Sequence, residues 1–208
     1  MDWVAFDTET TGLGPQARLV EIGARRFCED GTVWDFETLV DPEMPIPQVV
    51  QRIHGISDEM VRGAPRARSA LHRFFSFAEG AALIAHNARF DMSMLRQDAV
   101  RTGSELPPVL VHDSVQLARR VLPHLWSYRL ANVARQLQIH SATWHRALAD
   151  AVVVGELVKR LLHLRSMSLL GFPLWSAGLI GRLDEGRAIV EPKLGHQAVP
   201  MPLPPASS

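Results

Sequence analysis

Four acidic residues and one histidine stand in three short segments in a fixed order. Asp7 and Glu9 lie in Phe6-Asp7-Thr8-Glu9-Thr10-Thr11-Gly12, and Asp91 closes His86-Asn87-Ala88-Arg89-Phe90-Asp91. His145 opens and Asp150 closes His145-Arg146-Ala147-Leu148-Ala149-Asp150. Carboxylate oxygens are what hard divalent cations take as ligands, and this set is enough for a pair of Mg²⁺ or Mn²⁺ ions. Two such ions ~3.5–4 Å apart stabilise both the attacking and the leaving oxygen of an in-line phosphodiester displacement. A histidine beside them supplies a base for the attacking water. The combination predicts a metal-dependent nuclease.

Taken singly, each segment has a bland alternative. Asp-x-Glu arises easily in a chain with 22 acidic residues, but this pair sits in an otherwise apolar run. Such a strand is a costly home for two carboxylates unless something pairs with them. Strand alternation puts both side chains on one face. Asp91 falls early in a helix, where the helix dipole favours a carboxylate whatever its function. His145 and Asp150 are separated by ~140° on an ideal helix and cannot share a face. The spacing therefore requires His145 on the loop before the helix and Asp150 within it.

The elements that must position these groups are legible from pattern. Residues 2–8 read as a first strand ending in a turn at Thr-Thr-Gly. Leu19 to Phe27 and Thr32 to Val40 read as two more strands joined at Glu29-Asp30-Gly31, where Asp-Gly is a hairpin signal. The chain thus opens as an antiparallel meander. After Pro42, Pro45 and Pro47, short helices are expected over Gln48–His54 and Ser57–Val61, then a longer one over Arg66–Glu79. Ala81–Ala85 suits a buried strand, Asn87 an N-cap for the helix running to about Arg101, and Val109–Val111 a last short strand. Helices follow near Ser114–Leu122, Arg129–Leu137 and Arg146–Leu164. A meander followed by strands alternating with helices predicts an α/β fold with a mixed sheet covered by helices.

With 208 residues and 47% hydrophobic content, the chain can bury one good core. No run reaches the ~20 apolar residues of a membrane span, and nothing reads as a signal peptide. The single cysteine, Cys28, rules out an internal disulfide and fits a reducing cytoplasm. Net charge is zero, yet lysine occurs only at Lys159 and Lys193, and arginine supplies the rest of the 22 cations. Arginine suits bidentate phosphate contacts, although a codon bias explains the excess equally well. Neutrality argues against tight clamping on a polyanion by electrostatics alone.

The three segments together resemble the exonuclease motifs of the DEDDh 3′→5′ exonucleases, a family that includes the proofreading subunits of bacterial DNA polymerase III. The resemblance spans roughly residues 2–164 and implies a ribonuclease H-like, five-stranded mixed sheet flanked by helices. It implies that Asp7, Glu9, Asp91 and Asp150 hold two Mg²⁺ or Mn²⁺ ions, with His145 as general base. It also implies that Thr10 and Thr11 hold the terminal nucleotide, that Leu13 wedges against its base, and that His54-Gly55-Ile56 lines the nucleotide pocket. For Thr10-Thr11-Gly12 an ordinary turn is an equal reading, and for His54-Gly55-Ile56 a helix C-cap. Asn87 approaches substrate or caps its helix, and Arg89 and Arg146 contact phosphate or face solvent.

The expected activity is release of nucleoside monophosphates from 3′ ends of single-stranded or frayed DNA. An RNA 3′-trimming enzyme is the alternative within nucleases, and a binding or scaffolding module acting through its tail is the alternative outside them. Residues 1–165 are expected to form the exonuclease domain and 166–208 a C-terminal extension. That extension carries Leu169, Leu170, Phe172, Leu174, Trp175, Leu179 and Ile180, then a Pro-rich end expected to be disordered. Residues 166–190 are expected to dock a DNA polymerase subunit or a second copy of the chain.

Overall fold

The computed structural model of the chain describes residues 2–28, 30–141, 143–167, 179–184 and 187–189. The opening meander is β1 (Trp3–Thr10), β2 (Leu19–Phe27) and β3 (Val33–Leu39), paired antiparallel in that order. β1 runs two residues further than expected, so Glu9 is part of the ladder, opposite Glu21. The β2–β3 turn is closed by the Cys28 N–H on the Thr32 carbonyl at 2.9 Å, with Gly31 at φ +87°. Three helices follow: α1 (Gln48–His54), α2 (Asp58–Val61) and α3 (Ala67–Phe77). β4 (Ala82–Ala85) then enters parallel to β1, and after α4 (Ala88–Thr102) β5 (Leu110–Asp113) pairs parallel to β4. α5 (Ser114–Val121), α6 (Leu130–Gln136) and the long α7 (Ala147–Met167) complete the expected set.

The five expected strands lie in the order β3-β2-β1-β4-β5, a mixed sheet with the parallel strands on one side and the meander on the other. Two more strands, β6 (Leu179–Asp184) and β7 (Arg187–Ile189), extend it antiparallel beyond β5. Helix α7 crosses the expected boundary at residue 165, and the extension shares the sheet through β6 and β7. Leu169, Leu170, Phe172, Leu174, Trp175 and the Pro-rich end lie outside the described residues.

Alternation along β1 divides the core. Val4 and Phe6 point to one face and pack with α3 and α4 residues such as Leu71, Phe74 and Leu95. Ala5 points to the other face, against Val154, Leu157 and Leu161 of α7. Asp7 and Glu9 continue the second face, so the two carboxylates emerge where the sheet meets the start of α7.

Candidate active site

The C-terminal ends of the parallel strands β1, β4 and β5 form one edge of the sheet, and in open α/β sheets such an edge is where ligands bind. β1 brings Asp7 and Glu9 to it. The loop after β4 turns at Asn87, which adopts the left-handed conformation (φ 67°) that asparagine tolerates. Asn87 occupies the N-cap position of α4, but its side chain does not cap the helix. Its exposed side chain is left for other uses, and its N–H donates to Asp113 Oδ1 at 3.2 Å.

Asp91, in the first turn of α4, is 2% exposed. Its Oδ1 accepts from the Thr8 N–H at 3.1 Å and the Thr8 hydroxyl at 2.8 Å, which ties α4 to the middle of β1. Asp150 lies in the first turn of α7, buried, and its Oδ2 accepts from the His145 N–H at 3.1 Å. His145 is exposed on the preceding loop with φ +60°, as the spacing required.

The carboxylates crowd one another. Burial, followed by the charges of Asp91, Glu9, Asp150 and Glu21, holds Asp7 well above the usual carboxylate range. Glu9 is pushed up to about 8 by burial and by Asp150, Glu21 and Asp91, with Arg146 pulling it back. Burial raises Asp91 to about 7 against the opposing pull of the Thr8 hydrogen bonds. Asp150 is raised to about 6, again chiefly by burial. Oxygens that repel in this way gain from a cation among them. One ligand atom each of Glu9, His145 and Asp150 lies within 4.8 Å of the others, and Asp150 Oδ1 is buried without a hydrogen-bond partner. Such a donor set fits a divalent ion.

Around this centre, Leu13 is 87% exposed at the tip of the turn after β1. Thr10 and Thr11 are buried, and their hydroxyls serve the turn: Thr10 Oγ1 donates to the Gly12 carbonyl at 2.7 Å, and Thr11 Oγ1 accepts from the Arg18 N–H at 3.0 Å. His54 is 4% exposed at the end of α1, where Gly55 (φ 73°) makes a left-handed C-cap. Its Nδ1 accepts from the Ile56 N–H at 3.0 Å. Burial lowers the imidazole below its usual value, against the opposing pull of Glu21 and a hydrogen bond to the Thr10 backbone. His86 is also held low by burial, with its nitrogens on the Ser114 hydroxyl at 2.8 Å and the Tyr128 carbonyl at 2.7 Å.

Three contributors were not singled out from sequence. Glu21 of β2 is fully buried and binds Arg146 through both oxygens, with the Arg146 Nη2–Oε1 contact at 2.6 Å. Arg146, partly exposed, is thus engaged by Glu21, and by Glu37 at 3.3 Å. Gly23 faces the start of α7 so closely that a Cβ would sit 2.0 Å from the Leu148 nitrogen. Asp113 caps α5 through the Val115 N–H at 2.9 Å as well as holding Asn87. Glu21 carried a usable signal, since Leu19-Val20-Glu21-Ile22 is a carboxylate in an apolar strand like Asp7 and Glu9.

A protein-family profile described as "Exonuclease" matches residues 4–158. The DNA polymerase III subunit epsilon of Treponema pallidum is 39% identical over 160 residues, covering 74% of this chain and 74% of that protein. The PolC-type DNA polymerase III of Caldanaerobacter subterraneus subsp. tengcongensis is 35% identical over 162 residues, which are 77% of this chain and 12% of that protein. This chain spans only about an eighth of the PolC-type relatives it matches. Among solved structures, exonuclease X in complex with 5′ overhanging duplex DNA aligns with a TM-score of 0.62 at 27% identity, covering 80% of this chain and 92% of that one.

Proposed function

The chain belongs to the exonuclease family, and we propose that it hydrolyses phosphodiesters at 3′ ends of single-stranded or frayed DNA, releasing nucleoside monophosphates in a proofreading-like reaction. The observation that carries the reading is the meeting of Asp7, Glu9, Asp91, His145 and Asp150, from three distant segments, at the end of β1. Asp7, Glu9, Asp91 and Asp150 would hold two ions, Mg²⁺ or Mn²⁺. When bound, such ions neutralise the scissile phosphate and stabilise the attacking and leaving oxygens.

The protein's own groups do the rest. His145 takes a proton from the attacking water, and the N–H of the same residue, donated to Asp150, keeps the loop beside the carboxylates. Exposed Leu13 meets the terminal base, while His54 and the backbone around Thr10 and Thr11 enclose the terminal nucleotide. Asn87 and Arg89, both exposed at the start of α4, reach the phosphate or sugar. Unstacked bases enter such a site most easily, which favours single strands and frayed ends. Residues 1–165 form the exonuclease unit in this reading. Residues 166–190 serve association with a polymerase subunit or a second copy.

The test is release of mononucleotides from a 3′-labelled deoxy-oligonucleotide in Mn²⁺, beside the ribo-oligonucleotide of the same sequence. Asp7→Ala should lose about 10²–10³-fold in rate, as expected when one charge-stabilising element of the site is removed. It should also lose the rise in Tm that Mn²⁺ gives the unaltered protein by linkage. Undiminished turnover in Asp7→Ala would sink the two-metal reading, and faster cleavage of the ribo-oligonucleotide would make RNA the substrate.

A further inference from the structure

We propose that Glu21 and Arg146 form a positioning clamp that sets the start of α7, and with it His145 and Asp150, against Glu9; this rests on the exonuclease reading above. Glu21 has no exposed surface, yet sits on β2 directly opposite Glu9 of β1. Like charges opposite each other across a ladder repel, so a buried glutamate here needs a partner. Arg146 supplies it with a fork: Nε lies 3.1 and 3.2 Å from the two Glu21 oxygens, and Nη2 lies 2.6 Å from Oε1. Oε2 also accepts the Ala147 N–H at 2.8 Å, satisfying one of the donors that the first turn of a helix leaves open.

The run His145-Arg146-Ala147 is therefore gripped on both sides. On one side the His145 N–H reaches Asp150 at 3.1 Å, and on the other Arg146 and Ala147 hold Glu21. His145 keeps φ +60°, a left-handed backbone that is uncommon for a residue with a Cβ and that these contacts on both sides hold in place. Gly23 is the second, independent sign. It lies two residues from Glu21 and opposite Asp7, and its missing side chain lets the Ala147–Leu148 backbone settle directly on β2. One strand thus carries the ladder register of Glu9 and the grip on the element that bears His145 and Asp150.

A positioning role predicts lost kcat at nearly constant KM, because a misplaced group weakens the transition state more than the bound substrate. Three variants, Arg146→Ala, Arg146→Lys and Glu21→Gln, would be assayed on a single-stranded deoxy-oligonucleotide across a Mn²⁺ titration. Their Tm would also be measured with and without Mn²⁺. Arg146→Ala should lower kcat by about 10–100-fold, the usual cost of removing a group that orients metal ligands, with KM unchanged. It should also raise the Mn²⁺ concentration for half activity and shrink the Mn²⁺-induced rise in Tm. Arg146→Lys should restore part of the rate, since it keeps the charge and loses the fork. Glu21→Gln added to Arg146→Ala should cost nothing further. Wild-type kcat in Arg146→Ala overturns the clamp, and so does a raised KM with constant kcat, which would make Arg146 a phosphate contact. If Glu21→Gln does not fold, the partly exposed Arg146 decides alone. If the unaltered protein cleaves neither the deoxy- nor the ribo-oligonucleotide, the exonuclease reading has failed. The clamp is then judged by the Mn²⁺-induced Tm rise, which must be smaller in Arg146→Ala than in the unaltered protein.

Discussion

Glu9, Asp91 and Asp150 are held at about 8, 7 and 6, where ordinary carboxylates have long since ionised. Raised folded-state values mean that the native chain binds more protons than the unfolded chain between roughly pH 4 and 8. The sign follows: without metal, these groups stabilise the fold at the low end of that window, and the benefit is lost progressively as pH rises from about 4 to 8. In chelator, Tm should fall across this range, by about 2–4 °C for each kcal/mol lost in a chain of this size. Mn²⁺ should restore it most at the alkaline end, and Asp150→Asn should flatten the profile. A metal-free Tm that rises from pH 5 to 8 would contradict the crowding. His145 is tested differently. His145→Ala should keep KM and lose ~10²–10⁴ in rate, the usual worth of a general base. If the variant also loses its Mn²⁺-induced Tm rise, His145 acts as a ligand, as its distance from Glu9 and Asp150 allows.

Helix α7 meets the sheet at two glycines whose neighbours differ in kind. At Gly23 a Cβ would strike the Ala147–Leu148 backbone, whereas at Gly155 it would strike the ring of Phe27 at 2.2 Å. A ring can turn aside, although Phe27 is stacked on Trp3 at 4.3 Å between centroids, but the first turn of a helix cannot yield without moving everything it carries. Gly23→Ala should therefore cost at least the ~1–3 kcal/mol of ordinary overpacking and remove most activity with it. Gly155→Ala should cost less stability, because alanine recovers about 0.5–1 kcal/mol in a helix interior, and should leave the site in place. Chemical denaturation and turnover measured on both variants separate these outcomes. Equal activity in the two would mean that the α7–β2 approach does not set the site.

The whole molecule is a sheet covered on both faces, with Phe6 and Phe74 in one layer and Leu157 and Leu161 in the other. No helix among the described residues is long and apolar enough to cross a membrane. The site lies at the C-terminal end of β1, an interior strand of the sheet, while β6 lies along the outer side of β5. A chain ended after Met167 would keep α7 whole and lose β6 and β7, leaving the backbone groups of β5 open as a pairing edge. It should retain activity on short single strands within a few-fold while changing its state of association, as read by light scattering on a sizing column. A truncated chain that unfolds instead would place the extension within the core and remove the docking role proposed for residues 166–190.

Local pattern alone determined most of the elements, because their periods are written in neighbouring residues. The apolar alternation of β1 and β2 and the spacing that set His145 ahead of α7 are properties of short stretches. Asp7 and Glu9 were legible for the same reason, since a carboxylate in an apolar strand signals its own cost, whereas Asp91, His145 and Asp150 drew their roles from the resemblance of the three segments to exonuclease motifs. What only the tertiary structure decided are pairings across long separations. The contact of Arg146 with Glu21 spans 125 positions, and that of Asp91 with Thr8 spans 83. Asn87 looked like a cap, but its left-handed backbone turns the side chain away from that task. Beyond residue 165 the chain offered no clear period, and β6 exists as a strand because β5 presents an edge to pair with. Register and partner choice depend on what the rest of the chain brings alongside, and no window of neighbouring residues contains that.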